Sequence, residues 1–400
     1  MESTQDKLIQ GAFTQRFLIA EHIAQTLDLY NQGDYQGGQI SLANLQEVKK
    51  RPYTCKILPN LTIGENLDHT AHELTTLASY NVGFILELTP RFHGLNIEKL
   101  KWLQDKLMGK VHFLYGYTPK ENYILSKANL DNLTERLTQE IQFEMKHGQH
   151  KVVPSFIGEL IITDVSDAYQ RTLLQVCYAY QQSTLNGDKA CPIFINIAKN
   201  SESLIYQLME FFAPSQGLGV VYLLQEPIDD NLSLSAAIRD IFVQTQSQVC
   251  ITLYSHEIGA RFDGKGDPAA HMTDFNAFKF KYLLKDLKER GHLNRILCST
   301  GVTFKTHLTQ YGGSGYQAIF DDVFRDTLSE QDVNQIMIEN AGKLLSWRPK
   351  FVAEPERPKP TWECRYCKGR FEESHQKFEK MDFNYCSMKC LGAHRQAGFK

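Results

Sequence analysis

Residues 295–319 read RILCSTGVTFKTHLTQYGGSGYQAI, and this stretch decides the fold of the chain. It begins with a short apolar run, residues 295–299, which is typical of a parallel strand covered on both faces. The loop that follows contains Gly312, Gly313 and Gly315, whose spacing is not that of a nucleotide-binding fingerprint. The stretch is therefore interpreted as the last strand of a sheet and the loop that leaves it.

Seven similar apolar runs precede this one. They lie at 17–22, 82–88, 110–116, 152–160, 192–197, 219–225 and 248–254. Amphipathic segments separate them, and in the segment 124–145 one apolar side is marked by Leu130, Leu133, Leu137, Ile141 and Phe143. Eight strands alternating with helices predict an α/β fold of the TIM-barrel type, a (β/α)8 barrel. An open doubly wound sheet is the alternative, although no G-x-G-x-x-G follows the first strand.

A proline-rich segment separates this body from the C-terminal tail. Residues 348–363 read RPKFVAEPERPKPTWE, and such a density of prolines favours an extended chain. We predict a barrel at 1–347, a linker at 348–360 and a small zinc-binding module at 361–400. The 400 residues are 42% hydrophobic and 22% charged, with a net charge of −3. This composition excludes a disordered chain and a globally cationic nucleic-acid binder.

The compartment is predicted from what the chain lacks. No run of about 18 apolar residues occurs, and the N-terminus has no apolar segment, so neither a transmembrane helix nor a secretory signal is predicted. We expect a cytoplasmic protein, with the nucleus as the alternative, that is not secreted and contacts no membrane. In a reducing compartment the nine cysteines are thiols or metal ligands rather than disulfides.

Several motifs resemble one enzyme family. The run TFKTHLTQYGGSGY (303–316) resembles the loop after strand eight of phosphotriesterase-related proteins in the amidohydrolase superfamily, with its K-T-x-L-x-x-Y-G-G-x-G-Y pattern. IMIENAGKLLSW (336–347), FIGEL (156–160) and ACPIFINIA (190–198) are similar to its closing segment, strand four and strand five. The resemblance covers residues 12–347 and implies a hydrolase barrel that holds two divalent metals.

The same resemblance implies where the metals would bind. The six ligand positions are, in chain order, Ala20, His22, Glu159, Asn196, Leu224 and Gly301. Only His22 and Glu159 keep the family's ligand types, so four of the six positions are lost. A catalytic zinc needs three protein ligands and an open position. We therefore predict that the barrel metals are absent, and we assign no catalytic residue.

The tail carries a second metal pattern. Its spacing is C-x2-C-x18-C-x3-C-x3-H, formed by Cys364, Cys367, Cys386, Cys390 and His394. Four thiolates predict one closed structural zinc site, with His394 in place of a cysteine as the alternative. The tail resembles treble-clef zinc fingers of the FCS/MYM type, which implies contacts with a protein partner.

Basic residues and histidines near the predicted strand ends are weighed separately. His69 and His72 lie one helical turn apart, and a solvated helical face is favoured over a shared metal. His256 follows strand seven, where a ligand contact is the alternative to a loop residue without function. Arg91 and Lys199 follow strands two and five, and a solvated charge is favoured over anion binding.

Three functions remain. The favoured one is a non-catalytic (pseudoenzyme) barrel that acts as a protein-binding scaffold through residues 361–400 and keeps a pocket for a small molecule. The sequence leaves open whether the chain is an enzyme, and the lost metal-ligand positions favour a chain that is not one. The first alternative is a metal-dependent hydrolase of amide or ester bonds, with a site rebuilt from Glu21, Glu87 or Glu226. The second is a nucleic-acid-associated regulator acting through the zinc finger, which the acidic residues interspersed in the tail disfavour.

Overall fold

A computed structural model describes most of the chain. The described residues are 13–25, 38–50, 57, 61–124, 129–150, 152–187, 189–197, 202–224, 227–228, 232–254, 277–347, 361–372, 377–380 and 383–398. The chain divides into two compact units, Met1–Arg348 and Pro349–Lys400. The predicted linker, 348–360, lies outside the described residues. The domain boundaries at 347 and 361 therefore stay predictions.

The first unit contains an eight-stranded parallel sheet in which each strand pairs with the next along the chain. The strands are β1 (Arg16–Glu21), β2 (Val82–Glu87), β3 (His112–Tyr117), β4 (Phe156–Ile162), β5 (Ile193–Ile197), β6 (Val220–Leu224), β7 (Gln248–Thr252) and β8 (Ile296–Ser299). Just beyond β1 and β8, the His22 backbone N–H donates to the Val302 carbonyl at 3.2 Å. The predicted (β/α)8 barrel is thereby confirmed.

Helices connect the strands and cover the outside of the barrel. They are α1 (Leu45–Lys50), α2 (Leu67–Thr75), α3 (Ile97–Lys106), α4 (Leu133–His147), α5 (Ala168–Thr184), α6 (Glu202–Phe211), α7 (Ala236–Gln244), α8 (Ala277–Glu289), α9 (Glu330–Asn334) and α10 (Ala341–Leu345). Two π-helical stretches, Ile319–Phe324 and Gln335–Asn340, follow the last strand.

The strands separate two hydrophobic layers. Alternate strand residues face the barrel interior, and these include Phe17, Phe84, Leu114, Phe156, Phe194, Val221, Leu223, Cys250 and Leu297. The residues between them face the helices, among them Leu18, Ile85, Ile195, Tyr222 and Ile251. Because side chains alternate along a strand, the layer that a residue joins shows whether its neighbours point into the barrel.

Helix α4 differs from the segment predicted for it, 124–145. Its buried apolar face repeats every four residues and consists of Leu133, Leu137, Ile141 and Met145. Leu130 and Phe143, which were predicted on that face, are 53% and 57% exposed. Phe143 lies only two residues beyond Ile141, and at 3.6 residues per turn this places it on the opposite side of the helix.

The second unit is small and contains two antiparallel strand pairs and one helix. β9 (Thr361–Glu363) pairs with β10 (Arg370–Glu372), and β11 (Phe378–Lys380) pairs with β12 (Phe383–Tyr385). Helix α11 (Met388–Gln396) follows, and the Ser387 side chain caps its first turn. Among the described helices of both units, none is long and apolar enough to cross a bilayer.

Candidate active site in the barrel

A histidine, a glutamate and an asparagine meet inside the barrel. His22 directly follows β1, Glu159 lies in β4 and Asn196 lies in β5, and all three are completely buried. His22 Nε2 is 2.7 Å from Glu159 Oε2, and Asn196 Nδ2 donates to Glu159 Oε1. Each oxygen of the Glu159 carboxylate therefore has a hydrogen-bonding partner from another strand.

This arrangement controls the charge of His22. Burial alone lowers the pKa of His22, but the charge and hydrogen bond of Glu159 and the charges of Glu87 and Glu21 outweigh it, so the pKa is raised above 6.5. The imidazolium therefore persists to higher pH than in an exposed histidine. When Glu159 is ionised it accepts a hydrogen bond from the Nε2–H group of His22, so the lone pair of the neutral ring is on Nδ1.

Glu21, the residue before His22, connects the end of β1 to residues 299–302 at the end of β8. Its Oε1 accepts hydrogen bonds from Ser299 Oγ (2.6 Å), Thr300 N (3.0 Å), Thr300 Oγ1 (2.5 Å) and Gly301 N (3.2 Å). Its Oε2 accepts one from Val302 N at 2.7 Å. Burial raises the pKa of Glu21, and these hydrogen bonds offset part of the rise. All five contacts are donors, so the carboxylate acts as the acceptor that joins the two strands.

Glu87 has a similar role beside the first loop. Its Oε2 accepts from Ile23 N at 2.8 Å, and its Oε1 accepts from Thr89 N at 3.2 Å. Burial raises its pKa, while the charge of His22 lowers it in part. Among the described residues, neither Glu21 nor Glu87 belongs to a group of three His, Cys, Asp or Glu side chains close enough to share an ion. Glu226, the third candidate, lies outside the described residues.

Two of the implied ligand positions, Ala20 and Gly301, have no side-chain atom that could bind a metal. Ala20 packs into the interior hydrophobic cluster. Gly301 has φ +72°, and a Cβ there would lie 2.4 Å from the Tyr254 carbonyl oxygen and 2.9 Å from Thr252 Cβ. An aspartate at 301 would therefore require the loops after β7 and β8 to move apart.

The implied position on β6 faces away from the barrel centre. Leu224 belongs to the outer layer, whereas Val221 and Leu223 belong to the interior cluster. Because side chains alternate along a strand, the Leu224 side chain lies among the helices and not in the barrel interior.

The two ligand types that remain do not form the family's two-metal centre. His22 and Glu159 are hydrogen-bonded to each other, and Asn196 donates its amide to Glu159 instead of offering its oxygen to an ion. The described barrel residues contain no group of three His, Cys, Asp or Glu side chains close enough to share an ion. The predicted absence of barrel metals stays a prediction.

In the second unit, four cysteine sulfurs converge. The Sγ atoms of Cys364, Cys367, Cys386 and Cys390 all lie within 4.8 Å of one another. Cys386 Sγ is 3.7 Å from Cys367 Sγ and 3.5 Å from Cys390 Sγ. Zinc–sulfur bonds of about 2.3 Å in a tetrahedron imply sulfur separations of about 3.8 Å, so the cluster fits zinc.

The surroundings of Cys364 favour a thiolate, whereas burial and the neighbouring thiols of Cys390, Cys367 and Cys364 raise the pKa of Cys386 to about 12. Burial raises the pKa of Cys364, but backbone N–H groups of Cys367, Cys386 and Tyr366 donate to its sulfur, and the pKa falls to about 6. His394 Nδ1 instead lies 2.9 Å from the Tyr385 hydroxyl, and His394 is outside the group of four cysteines. The geometry therefore favours four cysteine ligands over the His394 alternative.

The remaining candidates have other partners. His69 Nδ1 lies 3.1 Å from the Tyr311 hydroxyl, and neither His69 nor His72 is part of a described metal-binding group. Arg91 Nη1 lies 2.8 Å from Glu144 Oε1, so its charge is neutralised by α4. His256 and Lys199 lie outside the described residues.

Comparisons with known proteins agree with this architecture. The sequence model of the Phosphotriesterase family matches residues 278–345, and that of the Vms1-associating treble clef domain matches residues 359–400. Together with the fold, these matches describe a (β/α)8 barrel that resembles the Phosphotriesterase family over residues 278–345, followed by a treble clef. The predicted resemblance and the predicted treble clef are both confirmed.

Individual relatives and structures are similar over most of the barrel. N-acetyltaurine hydrolase of Xenopus tropicalis is 24% identical over 83% of this chain and 94% of the relative, and that of Homo sapiens is 24% identical over 85% and 96%. A phosphotriesterase homology protein from Escherichia coli, with phosphate in its active site, gives a TM-score of 0.57 at 18% identity, covering 83% of this chain and 99% of its own. A resiniferatoxin-binding protein from Rhodobacter sphaeroides gives 0.63 at 16% identity, over 84% and 92%.

The relatives overturn one prediction. The favoured reading of a non-catalytic scaffold is wrong, because relatives that share most of the barrel are named as hydrolases. The prediction depended on counting lost metal ligands. That count did not detect that Asn196, counted as a lost ligand, forms a hydrogen-bonded set with His22 and Glu159. The sequence signal was available only as a polar residue that interrupts the apolar run of β5.

Proposed function

We propose that the chain is a hydrolase of amide bonds in small N-acylated amines, with the His22–Glu159 pair as its acid–base group. The observation that carries this proposal is the 2.7 Å contact between His22 Nε2 and Glu159 Oε2 inside the barrel. Barrels of this class place their chemistry at the carboxyl ends of the strands, where His22 lies. The hydrolase names of the relatives support amide hydrolysis as the reaction.

The geometry gives each residue a task. Nδ1 of neutral His22 accepts a proton from water as the water oxygen bonds to the acyl carbon. The resulting imidazolium then donates that proton to the amine nitrogen as the carbon–nitrogen bond breaks, which releases a carboxylic acid and an amine. Glu159 stabilises the imidazolium, and Asn196 holds the Glu159 carboxylate in place. General acid–base catalysis of this kind contributes a factor of about 10²–10⁴ in rate.

The scheme contains no metal step. In the family that the barrel resembles, metals lower the pKa of a bound water. The described residues do not fit that two-metal centre, because His22 and Glu159 bind each other and three of the other four positions offer no donor atom. Water activation is therefore assigned to His22 alone.

N-acetyltaurine is the first substrate to test. The purified full-length chain is expected to release acetate and taurine, and His22→Gln is expected to lower kcat/KM by about 10²–10⁴. His150→Gln, at a half-exposed histidine remote from the barrel interior, is the matched control and should retain full activity. Absence of release by the wild type, or equal rates for wild type and His22→Gln, would reject the proposal.

We also propose that the four tail cysteines hold one structural zinc, as their sulfur separations support. Metal counting by mass spectrometry should give one zinc per chain, and Cys364→Ala with Cys367→Ala should abolish it. His394→Gln should retain the zinc. Two or more additional divalent ions per chain would contradict the metal-free barrel scheme. A protein partner for residues 361–400 stays a prediction, and Tyr366 and Met388 are exposed for such a contact.

A further inference from the structure

Thr252 ends β7 and points into the barrel. Cys250 on the same strand belongs to the interior cluster and Ile251 to the outer layer, so alternation directs the Thr252 side chain inward. Thr252 pairs in register with Ser299 of β8. Its Oγ1 lies 3.2 Å from the place that a Cβ at position 301 would occupy. Thr252 therefore stands next to the position where the resemblance implies a metal-binding aspartate.

The Thr252 hydroxyl differs from that of Ser299, because it has no hydrogen-bond partner in the described part of the chain. It is 1% exposed, and none of the described residues offers its buried Oγ1 a hydrogen-bond donor or acceptor. The neighbouring Ser299 hydroxyl, by contrast, donates to Glu21. An unsatisfied buried hydroxyl costs about 1–3 kcal/mol, and a valine of the same shape would avoid that cost. Because the unsatisfied Thr252 hydroxyl does not stabilise the fold, its presence needs another explanation.

The interior of an eight-stranded barrel is just wide enough for side chains to fill it. Inward residues at the carboxyl ends of the strands are therefore neighbours across the barrel. This places Thr252 on the same face of the sheet, and at the same end of the barrel, as His22. Only β8 separates β7 from β1 around the barrel, so an amide substrate whose acyl carbon lies beside His22 would have its carbonyl oxygen within reach of Thr252.

We propose that Thr252 is a further catalytic residue, whose hydroxyl donates a hydrogen bond to the carbonyl oxygen of the amide substrate. Negative charge develops on this oxygen as the water oxygen bonds to the acyl carbon, and a fixed donor stabilises it. The inference rests on the proposed amide hydrolysis. It also accounts for the unpaired hydroxyl, because substrate supplies the missing acceptor.

Two substitutions separate the hydroxyl from the shape of the side chain. Thr252→Val keeps the shape and is expected to lower kcat by about 10²-fold, with a much smaller change in KM. Thr252→Ser keeps the hydroxyl and should retain most of the activity. The free energy of unfolding of Thr252→Val should equal or exceed that of the wild type, whereas a structural role would lower it. Unchanged kcat in Thr252→Val, or equal losses in both variants, would overturn the inference.

Ligand binding keeps this inference distinct from the proposed function. If the wild type binds N-acetyltaurine, as a rise in its melting temperature would show, but does not hydrolyse it, the proposed function fails. In that case a rise that is smaller in Thr252→Val than in the wild type and in Thr252→Ser supports a ligand contact at Thr252. An equal rise in all three proteins, or none in any, overturns it.

Discussion

Glu21 and His22 are neighbours in the chain, yet they join two very different polar clusters. Glu21 accepts five hydrogen bonds from residues 299–302, which fix the position of the loop after β8. His22 forms a contact with a second ionisable group, Glu159, and this contact raises its pKa. Both side chains are completely buried.

This difference shows how a buried ionisable residue with a structural role can be told from one that can transfer protons. A carboxylate whose oxygens all face N–H and O–H donors is held in place as a hydrogen-bond acceptor. A histidine paired with a carboxylate can bind and release a proton at its second ring nitrogen. We therefore expect changes at Glu21 to reduce stability and changes at His22 to reduce activity.

The largest effect on stability is expected from Glu21→Ala. This substitution leaves the five donors of residues 299–302 without an acceptor, and the free energy of unfolding should fall by about 4 kcal/mol. Chemical denaturation measures the change, and Glu98→Ala at an exposed glutamate is the control. A fall in the free energy of unfolding of less than about 1 kcal/mol would mean that these hydrogen bonds do not stabilise the contact between β1 and β8.

A smaller loss is expected from Gly301→Ala. The added Cβ would lie 2.4 Å from the Tyr254 carbonyl in a residue with φ +72°, so we expect a loss of about 3 kcal/mol. Gly109→Ala is a matched control, because Gly109 has φ +66° and nothing within 4 Å of such a Cβ. That variant should lose only about 1 kcal/mol, the cost of the backbone conformation. Equal losses in the two variants would show that the loops after β7 and β8 have room to separate.

The smallest effect is expected from Ser299→Ala, which removes one of the five donors to Glu21. The carboxylate keeps four donors, so unfolding should become easier by about 1 kcal/mol. Hydrolysis of N-acetyltaurine should stay within a factor of about two of the wild type, since the residue binds Glu21 and not His22. A loss of activity as large as that of His22→Gln would show that the Glu21 cluster and the His22 cluster are not functionally separate.

Much of the barrel follows from local sequence, whereas its polar clusters do not. Continuous apolar runs predict all eight strands, because strands buried on both faces need such runs. The sequence does not predict correctly which side of a helix every residue faces. Leu130 and Phe143, predicted on the apolar face of the α4 segment, are exposed. The Glu21–Ser299 hydrogen bond joins residues 278 positions apart, and the Asn196–Glu159 bond joins residues 37 apart. The hydrophobic periodicity of the sequence does not predict these long-range hydrogen bonds, because they form only when the barrel closes.

The pH dependence of hydrolysis tests the role of the His22–Glu159 pair most directly. Protonated His22 cannot accept a proton from water, so kcat/KM should fall as the pH drops, with an apparent pKa above 6.5 in the wild type. Glu159→Gln removes the charge that raises this pKa, so the acid limb should move to lower pH while the maximal rate falls. An acid limb at the same pH in wild type and Glu159→Gln would contradict the assignment of His22 as the base.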